Sequence, residues 1–464
     1  MKDLRKKYIG DKAFYKSVIV LVIPLIIQQG ITNFVSLLDN VMVGGLGTTS
    51  ISSVAIVNQL VFVFNLSIFG VVSGASIFGA QFAGKDDNKG LRETFRFKMI
   101  FGAVATIIAI TIFIVWGEDL ILNFLRSEVS DPDEIKLSLG FAKDYLSVCL
   151  FGLPAFMVVQ SYAGTLREKG ETVAPMFAGV LAIVLNLSLN YIFIFGHLGA
   201  PKLGVVGAAL GTVISRYAEL LYIVIFTHKH KFKFEFIVGA YKSLHIDPKL
   251  LKQIIITGSP LMVNEILWSI GMTVINQSYS IRGLQVVAGI NITSTVVQLF
   301  NIIMFAMGHA VCIIVGQALG AGDIEKAKDT DNKLIVFTVV FNIVIAIILV
   351  IASPFIPLLY NTEQEVRQMA SQFLIVSAIT LPLHALVHVI YFTLRSGGKT
   401  LITFFFDSFY TWVIPVPISF VLSRYTNLPV VWVYCVIQSI DLIKACIGIP
   451  LLKSGFWAKN IINK

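Results

Sequence analysis

Charge is what this chain of 464 residues has least of: Asp, Glu, Lys and Arg make up 14% of it, against about a quarter in a soluble domain. Hydrophobic residues make up 56%, too many for a soluble fold of this length to cover with polar surface, and the same balance excludes intrinsic disorder. Cysteine is scarce too. Cys149, Cys312, Cys435 and Cys446 lie in apolar stretches with no C-x-x-C pair, and they read as small buried hydrophobes rather than a disulfide framework or metal site. No A-x-A cleavage motif follows the basic N-terminus, so the first apolar run reads as a retained helix. The phosphate-loop pattern G-x-x-x-x-G-K-[ST] is missing, the Gly-rich segment after Gln317 included, which argues against ATP-driven transport by this chain. The net charge of +9 is not gathered into a basic patch with interleaved aromatics, so nucleic acid is not an expected partner. No cofactor is expected. What remains is an integral membrane protein.

A helix needs about 20 mostly apolar residues to cross the hydrocarbon core. Twelve such spans can be drawn, near 14–40, 50–80, 95–117, 139–163, 172–196, 204–227, 250–278, 286–316, 333–358, 369–393, 400–422 and 429–451. With the termini and even-numbered loops on one side, that side carries roughly four times the Lys and Arg of the other. The positive-inside bias then puts both termini in the cytoplasm of a multi-pass cell-membrane protein. The basic stretch His228–Lys233 fits a positive-inside loop between two halves. The division expected is an N-terminal lobe over 1–228, a cytoplasmic loop over 229–249 and a C-terminal lobe over 250–464.

The halves repeat each other. Lys16–Leu25 (KSVIVLVIPL) matches Lys252–Leu261 (KQIIITGSPL) at an offset of 236, which also superimposes Phe64-Asn65 on Phe300-Asn301 and Gln81/Gly84 on Gln317/Gly320. At an offset of 228, Leu153-Pro154 matches Leu381-Pro382 and Thr165–Thr172 (TLREKGET) matches Thr393–Thr400 (TLRSGGKT). A six-span unit begins and ends on one side, so the repeat is parallel, about an axis along the membrane normal. The expected fold is all-α, twelve transmembrane helices in two pseudo-symmetric six-helix lobes.

Pro24 followed by Leu37–Gly47 (LLDNVMVGGLG), GAQFAGKDD after span 2, VGQALGAGD after span 8, Gly204–Thr212 (GVVGAALGT) and the Arg-x-x-Gly-x-Thr element in both halves occur in one order across a duplicated chain. In this the sequence resembles the multidrug and toxic compound extrusion (MATE) family of the wider MOP flippase superfamily. The resemblance implies a secondary active transporter, not an enzyme, that exports organic cations in exchange for protons or sodium ions by alternating access. A single chain in the lipid bilayer, with small organic cations as its substrates, is expected.

Asp39, Glu219, Glu265, Asp407 and Asp441 are acidic residues that fall inside spans. Each is costly in lipid and marks a functional hypothesis. Arg216 precedes Glu219 by three residues and Asp441 precedes Lys444 by three, so these two acids are expected to be neutralised on their own helices. Asp39, Glu265 and Asp407 have no basic residue within four positions. One branch of the family is known for an ion site made by a first-helix Asp, an Asn and an Asp on helix 5, and a hydroxyl on helix 6. The resemblance therefore implies an ion-coupling site at Asp39, Asn186, Asn190 and Thr212. Asn190 stands where that branch has an acid. One carboxylate instead of two puts sodium in doubt there and leaves proton exchange or plain polar packing open.

Glu265, in PLMVNEILW, faces Gln29 across the repeat and matches the helix-7 Glu used by the NorM branch. Asp407, in FFFDSFYTW, is expected among Phe404–Phe406, Phe409, Tyr410 and Trp412, whose ring faces attract cations. Glu265 and Asp407 are the candidate substrate and coupling residues of the C-terminal half. His384 and His388 share a helix face, and two satisfied histidines are favoured over a metal site. The alternatives are a lipid-linked precursor flippase, whose anionic cargo would ask for Arg and Lys in the spans, and a multispanning enzyme. The latter would want a His/Asp or paired-acid group at an interface, and the long acidic outer loop Glu118–Asp144 has no His.

Overall fold

A computed structural model describes residues 8–128, 132–360 and 362–463. The described residues form no strand. Among the described residues, twelve helices are long and apolar enough to cross a membrane. They are α1 (Lys12–Gly44), α2 (Thr48–Gly84), α3 (Asn88–Glu128), α4 (Pro132–Glu168), α5 (Val173–Phe195), α6 (Val205–Lys229), α7 (Pro248–Ser280), α8 (Leu284–Gly320), α9 (Ile324–Ala352), α10 (Gln364–Ser396), α11 (Thr400–Tyr425) and α12 (Val430–Lys453).

The helices outrun the apolar spans because hydropathy marks only the part that lipid could cover. At 1.5 Å per residue, the 37 residues of α4 extend about 55 Å, beyond a hydrocarbon core of about 30 Å. The expected outer loop Glu118–Asp144 is a casualty of this. Helix α3 continues to Glu128, and α4 opens at Pro132, a residue whose fixed φ suits a first helical turn; residues 129–131 lie outside the described part. Within the helices, an apolar outer stripe recurs at the repeat offset. Val104, Ile107, Ile108 and Val115 of α3 are exposed, and so are their mates Val340, Ile343, Val344 and Ile351 of α9. A row of large exposed aliphatics on a bundle is a surface made for lipid tails. Cys149 and Cys312 are buried as expected, whereas Cys446 is exposed on α12, next to Ile443 and Ile447, which are exposed too.

Two compact units divide the chain. The first gathers Ile255–Lys464 with Ala80–Asp86 and the chain up to Val22; the second holds Ile23–Gly79 and Asp87–Ile254. In the first, the end of α2 lies directly against the end of α8. A Cβ on Gly84 would stand 1.9 Å from the Gln317 carbonyl oxygen, and one on Gly320 would stand 1.8 Å from that of Gln81. The two Q-x-x-G motifs therefore need glycine because backbone meets backbone there. The C-terminal segment covers this crossing. Gln81 Nε2 donates to the carbonyls of Ser396 and Lys459, Ile461 N donates to Gln81 Oε1, and Asn460 Nδ2 donates to the Leu319 carbonyl.

In the second unit, the segment after α6 folds back onto the start of α3. Phe234, Phe236, Ile237 and Ala240 are buried. Arg92 donates to the carbonyls of Glu235 and Phe236, and Arg96 donates to those of Gly239, Ala240 and His245. The basic loop of the sequence is a docked arm.

Candidate functional site

Helix α5 buries Ala174, Ala178, Ala182, Asn186, Asn190 and Ile194, a row spaced by four that presents small residues first and amides last. Helix α6 meets it with Gly207, Ala208 and Gly211. A Cβ on Gly207 would lie 2.6 Å from the Phe193 backbone, and one on Gly211 would lie 2.2 Å from Asn190 Oδ1. The glycines of GVVGAALGT let the two helices approach and give the Asn190 amide its space. Asn190 Nδ2 then donates to Asp39 Oδ1 at 2.8 Å and to Asn186 Oδ1 at 3.3 Å, and Asn186 Nδ2 donates to Thr212 Oγ1 at 3.2 Å. With the Asn186 amide turned over, its nitrogen lies 3.0 Å from Asp39 Oδ1 and its oxygen accepts from Thr212. Asp39, Asn186, Asn190 and Thr212 thus come together from three helices. Arg216 donates to Glu219 at 2.9 Å on its own helix, as the sequence spacing implies.

The C-terminal half departs from expectation. Lys444 does not pair with Asp441: its Nζ lies 2.6 Å from Asp407 Oδ1. Asp441 Oδ2 instead lies 3.8 Å from His384 Nε2, which also meets the Gln438 carbonyl. The repeat supplies a reason. Lys444 is the mate of Arg216 at an offset of 228, but the mate of Glu219 is Ile447. Lys444 therefore has no acid on the next turn and, almost wholly buried itself, reaches across to α11.

The surroundings of Asp407 also differ from the aromatic ring expected. Phe405 and Phe409 are half exposed, and the rings beside the ion pair are Phe406 and Tyr410, whose centroids lie 5.3 and 5.6 Å from Lys444 Nζ. Residues Phe405–Phe409 form a π-helical turn, a feature frequently found at functional sites. Asn264 Nδ2 donates to Asp407 Oδ2 at 3.0 Å, while Asn264 Oδ1 accepts from Ser408 N and Ser408 Oγ. Glu265 Oε1 accepts from Tyr391 at 3.4 Å, and the Arg395 guanidinium acts on the same carboxyl. His388 packs against Phe305 and Phe392.

Buried acids escaped the sequence reading, Glu168 and Asp331 among them. Lys98 Nζ lies 2.5 Å from Glu168 Oε1 and 3.0 Å from Thr165 Oγ1, with both charged side chains closed to solvent. Thr393, the repeat mate of Thr165, donates at 2.5 Å to the buried Asp331. Both acids sit where an apolar span gives way to charge, and a hydropathy boundary files them with the loops. The duplicated Thr-Leu-Arg element was the available signal.

The MatE family model matches residues 24–192 and again 260–421. The chain belongs to the MATE family. Together with twelve described helices long and apolar enough to cross a membrane, that makes this MATE protein a multi-pass membrane transporter and not an enzyme. It is 26% identical over 426 residues to the "Probable multidrug resistance protein YoeA" of Bacillus subtilis, covering 90% of this chain and 89% of that one. It is 24% identical to the "Probable multidrug resistance protein NorM" of Thermotoga maritima, covering 96% and 94%. Among solved structures, a Vibrio cholerae MATE transporter superposes with a TM-score of 0.85 at 15% identity, covering 97% of this chain and 98% of that one. A MOP superfamily transporter from Pyrococcus furiosus, described as having a binding pocket of reverse polarity, superposes at 0.81 with 22% identity, covering 98% of each chain. These likenesses share the fold, and the two matched stretches fall on the two halves of the repeat.

Proposed function

We propose that this MATE protein is a multidrug exporter that drives organic cations outward in exchange for protons bound at Asp39, with both termini in the cytoplasm. The observation that carries the reading is the make-up of the Asp39 cluster. Its neighbours are two amides and a hydroxyl, from Asn190, Asn186 and Thr212, and Arg216 bonds Glu219. A single carboxylate is neutralised by a single proton, and amide dipoles serve either protonation state. Sodium would ask for more negative charge than the single carboxylate of this cluster offers. The names of the relatives, both multidrug resistance proteins, support a broad range of cargo. The buried cation Lys444 does not favour an anionic lipid-linked cargo, because it is matched by Asp407.

The test is ethidium efflux from proteoliposomes carrying the full chain, under pH and sodium gradients imposed separately. Efflux that follows the pH gradient supports the proposal. Efflux that follows only sodium, or none for any of several cationic dyes, overturns it.

A further inference from the structure

Lys444, Asp407, Phe406 and Tyr410 together have the composition of an ammonium receptor that is already filled. A carboxylate and two aromatic faces are the chemistry that recognises an organic ammonium group. Here the ammonium is the protein's own, at 2.6 Å from the carboxylate and within 6 Å of both ring centroids. We propose that Asp407, Phe406 and Tyr410 form a binding site for an organic ammonium, and that Lys444 is an internal tenant which cationic cargo displaces. The inference rests on the cation-export reading above and names the place where the cargo's charge is bound.

Three features separate this arrangement from an ordinary buried ion pair. First, the receptor is held without the lysine. Asp407 Oδ2 is fixed by Asn264, and Asn264 is fixed by the Ser408 backbone and hydroxyl, so the carboxylate keeps its place when the ammonium leaves. Tyr410 is likewise anchored, its hydroxyl donating at 2.8 Å to the Ile440 carbonyl. Second, Asp407 lies in a π-helical turn. Such a turn forgoes regular i→i−4 bonding, and helices frequently carry it at functional sites. Third, the pair is not shared by the two halves. Gly179 is the mate of Asp407 at an offset of 228, and a Cβ there would already crowd Gln28. The scaffold of this ion pair is thus built in one half only.

Lysine suits a tenant better than arginine would. It is a point charge on a flexible stem, without the fork geometry that locks a guanidinium to a carboxylate. Displacement also sets affinity, since a site occupied most of the time by its own lysine binds cargo more weakly by the fraction of time it stands open. Weak, competitive binding is what a transporter that must also release its cargo requires.

The experiment uses the purified full chain. Lys444→Ala removes a propylammonium-sized piece and should lose thermal stability. n-Propylammonium should restore the melting temperature saturably in Lys444→Ala, and should not do so in Lys444→Ala/Asp407→Asn. No saturable rescue, or rescue that survives the loss of Asp407, overturns the proposal. Should Lys444→Ala not be recovered folded, Lys444→Met keeps the apolar stem and removes only the charge. In equilibrium titrations it should bind ethidium about ten-fold more tightly than the wild type, and adding Asp407→Asn should abolish the gain. Unchanged ethidium affinity in Lys444→Met overturns the proposal. These readouts are equilibrium binding and stability, so they stand apart from the gradient experiment that tests proton exchange.

Discussion

Asp407 accepts a 2.6 Å hydrogen bond from Lys444 on another helix, although Lys444 has an acid, Asp441, three residues before it on its own. Burial decides the choice. Lys444 is 6% exposed, and a buried ammonium needs a partner within the protein. Removing one member of such a pair leaves the other as an uncompensated charge, at about 3–5 kcal/mol. Lys444→Ala and Asp407→Leu should each cost stability on that scale, and the double variant should recover most of the loss. Thermal unfolding of the four proteins in one detergent gives the coupling. Additive losses would show that the two charges do not stabilise each other.

Gly211→Ala tests the Asp39 cluster without touching its carboxylate. The added methyl would begin 2.2 Å from Asn190 Oδ1, so Asn190 must leave the position from which it donates to Asp39. Overpacking of this kind costs about 1–3 kcal/mol, and the protein should still fold. Efflux driven by a pH gradient should fall at least ten-fold, while ethidium binding stays near the wild-type value. Normal gradient-driven efflux in Gly211→Ala would remove Asn190 from the coupling site.

The Asp39 cluster was legible in the sequence because one part of it is local and the rest follows the family resemblance. Two Asn four apart share a helix face wherever the helix lies, and the family pattern names the helices that meet. Lys444 was misjudged for the opposite reason. Spacing along one helix shows which side chains can meet, but not which face of α12 is buried, and Asp407 precedes Lys444 by 37 residues. The π-turn at Phe405–Phe409 left no mark in hydropathy. Glu168 and Asp331 were lost at span edges, where apolar and polar patterns change over and burial cannot be read from either. The Q-x-x-G elements were visible as a repeat, but their meaning, backbone contact between α2 and α8, needs coordinates.

Glu265 keeps one hydrogen bond on substitution by glutamine, since a carbonyl oxygen accepts from the Tyr391 hydroxyl as a carboxylate does. What Glu265→Gln removes is the carboxyl's ability to ionise. The variant should reach the membrane at normal abundance and lose most of its gradient-driven dye efflux, by about ten-fold or more, the scale of one lost charged interaction. Wild-type efflux by a normally abundant Glu265→Gln protein would make this carboxylate structural.

The crossing of α2 and α8 makes a prediction about additivity. Gly84 faces the Gln317 carbonyl and Gly320 faces that of Gln81, two halves of one contact related by the repeat. A methyl at either position must push the helices apart, because the obstacle is backbone and cannot rotate away. Gly84→Ala and Gly320→Ala should each lower stability by about 1–3 kcal/mol. Once one methyl has separated the helices, the second finds the space already open. The double variant should therefore lose clearly less than the two single losses combined, as expected for neighbours sharing one backbone displacement. Gln81 adds a check, because it ties the same crossing to Lys459 and Ile461. Gln81→Ala should cost less in the Gly320→Ala background than in the wild type, since the carbonyl next to its side chain has already moved. Melting temperatures of the five variants measure this directly, and strict additivity across all of them would show that the two helix ends do not bear on one another.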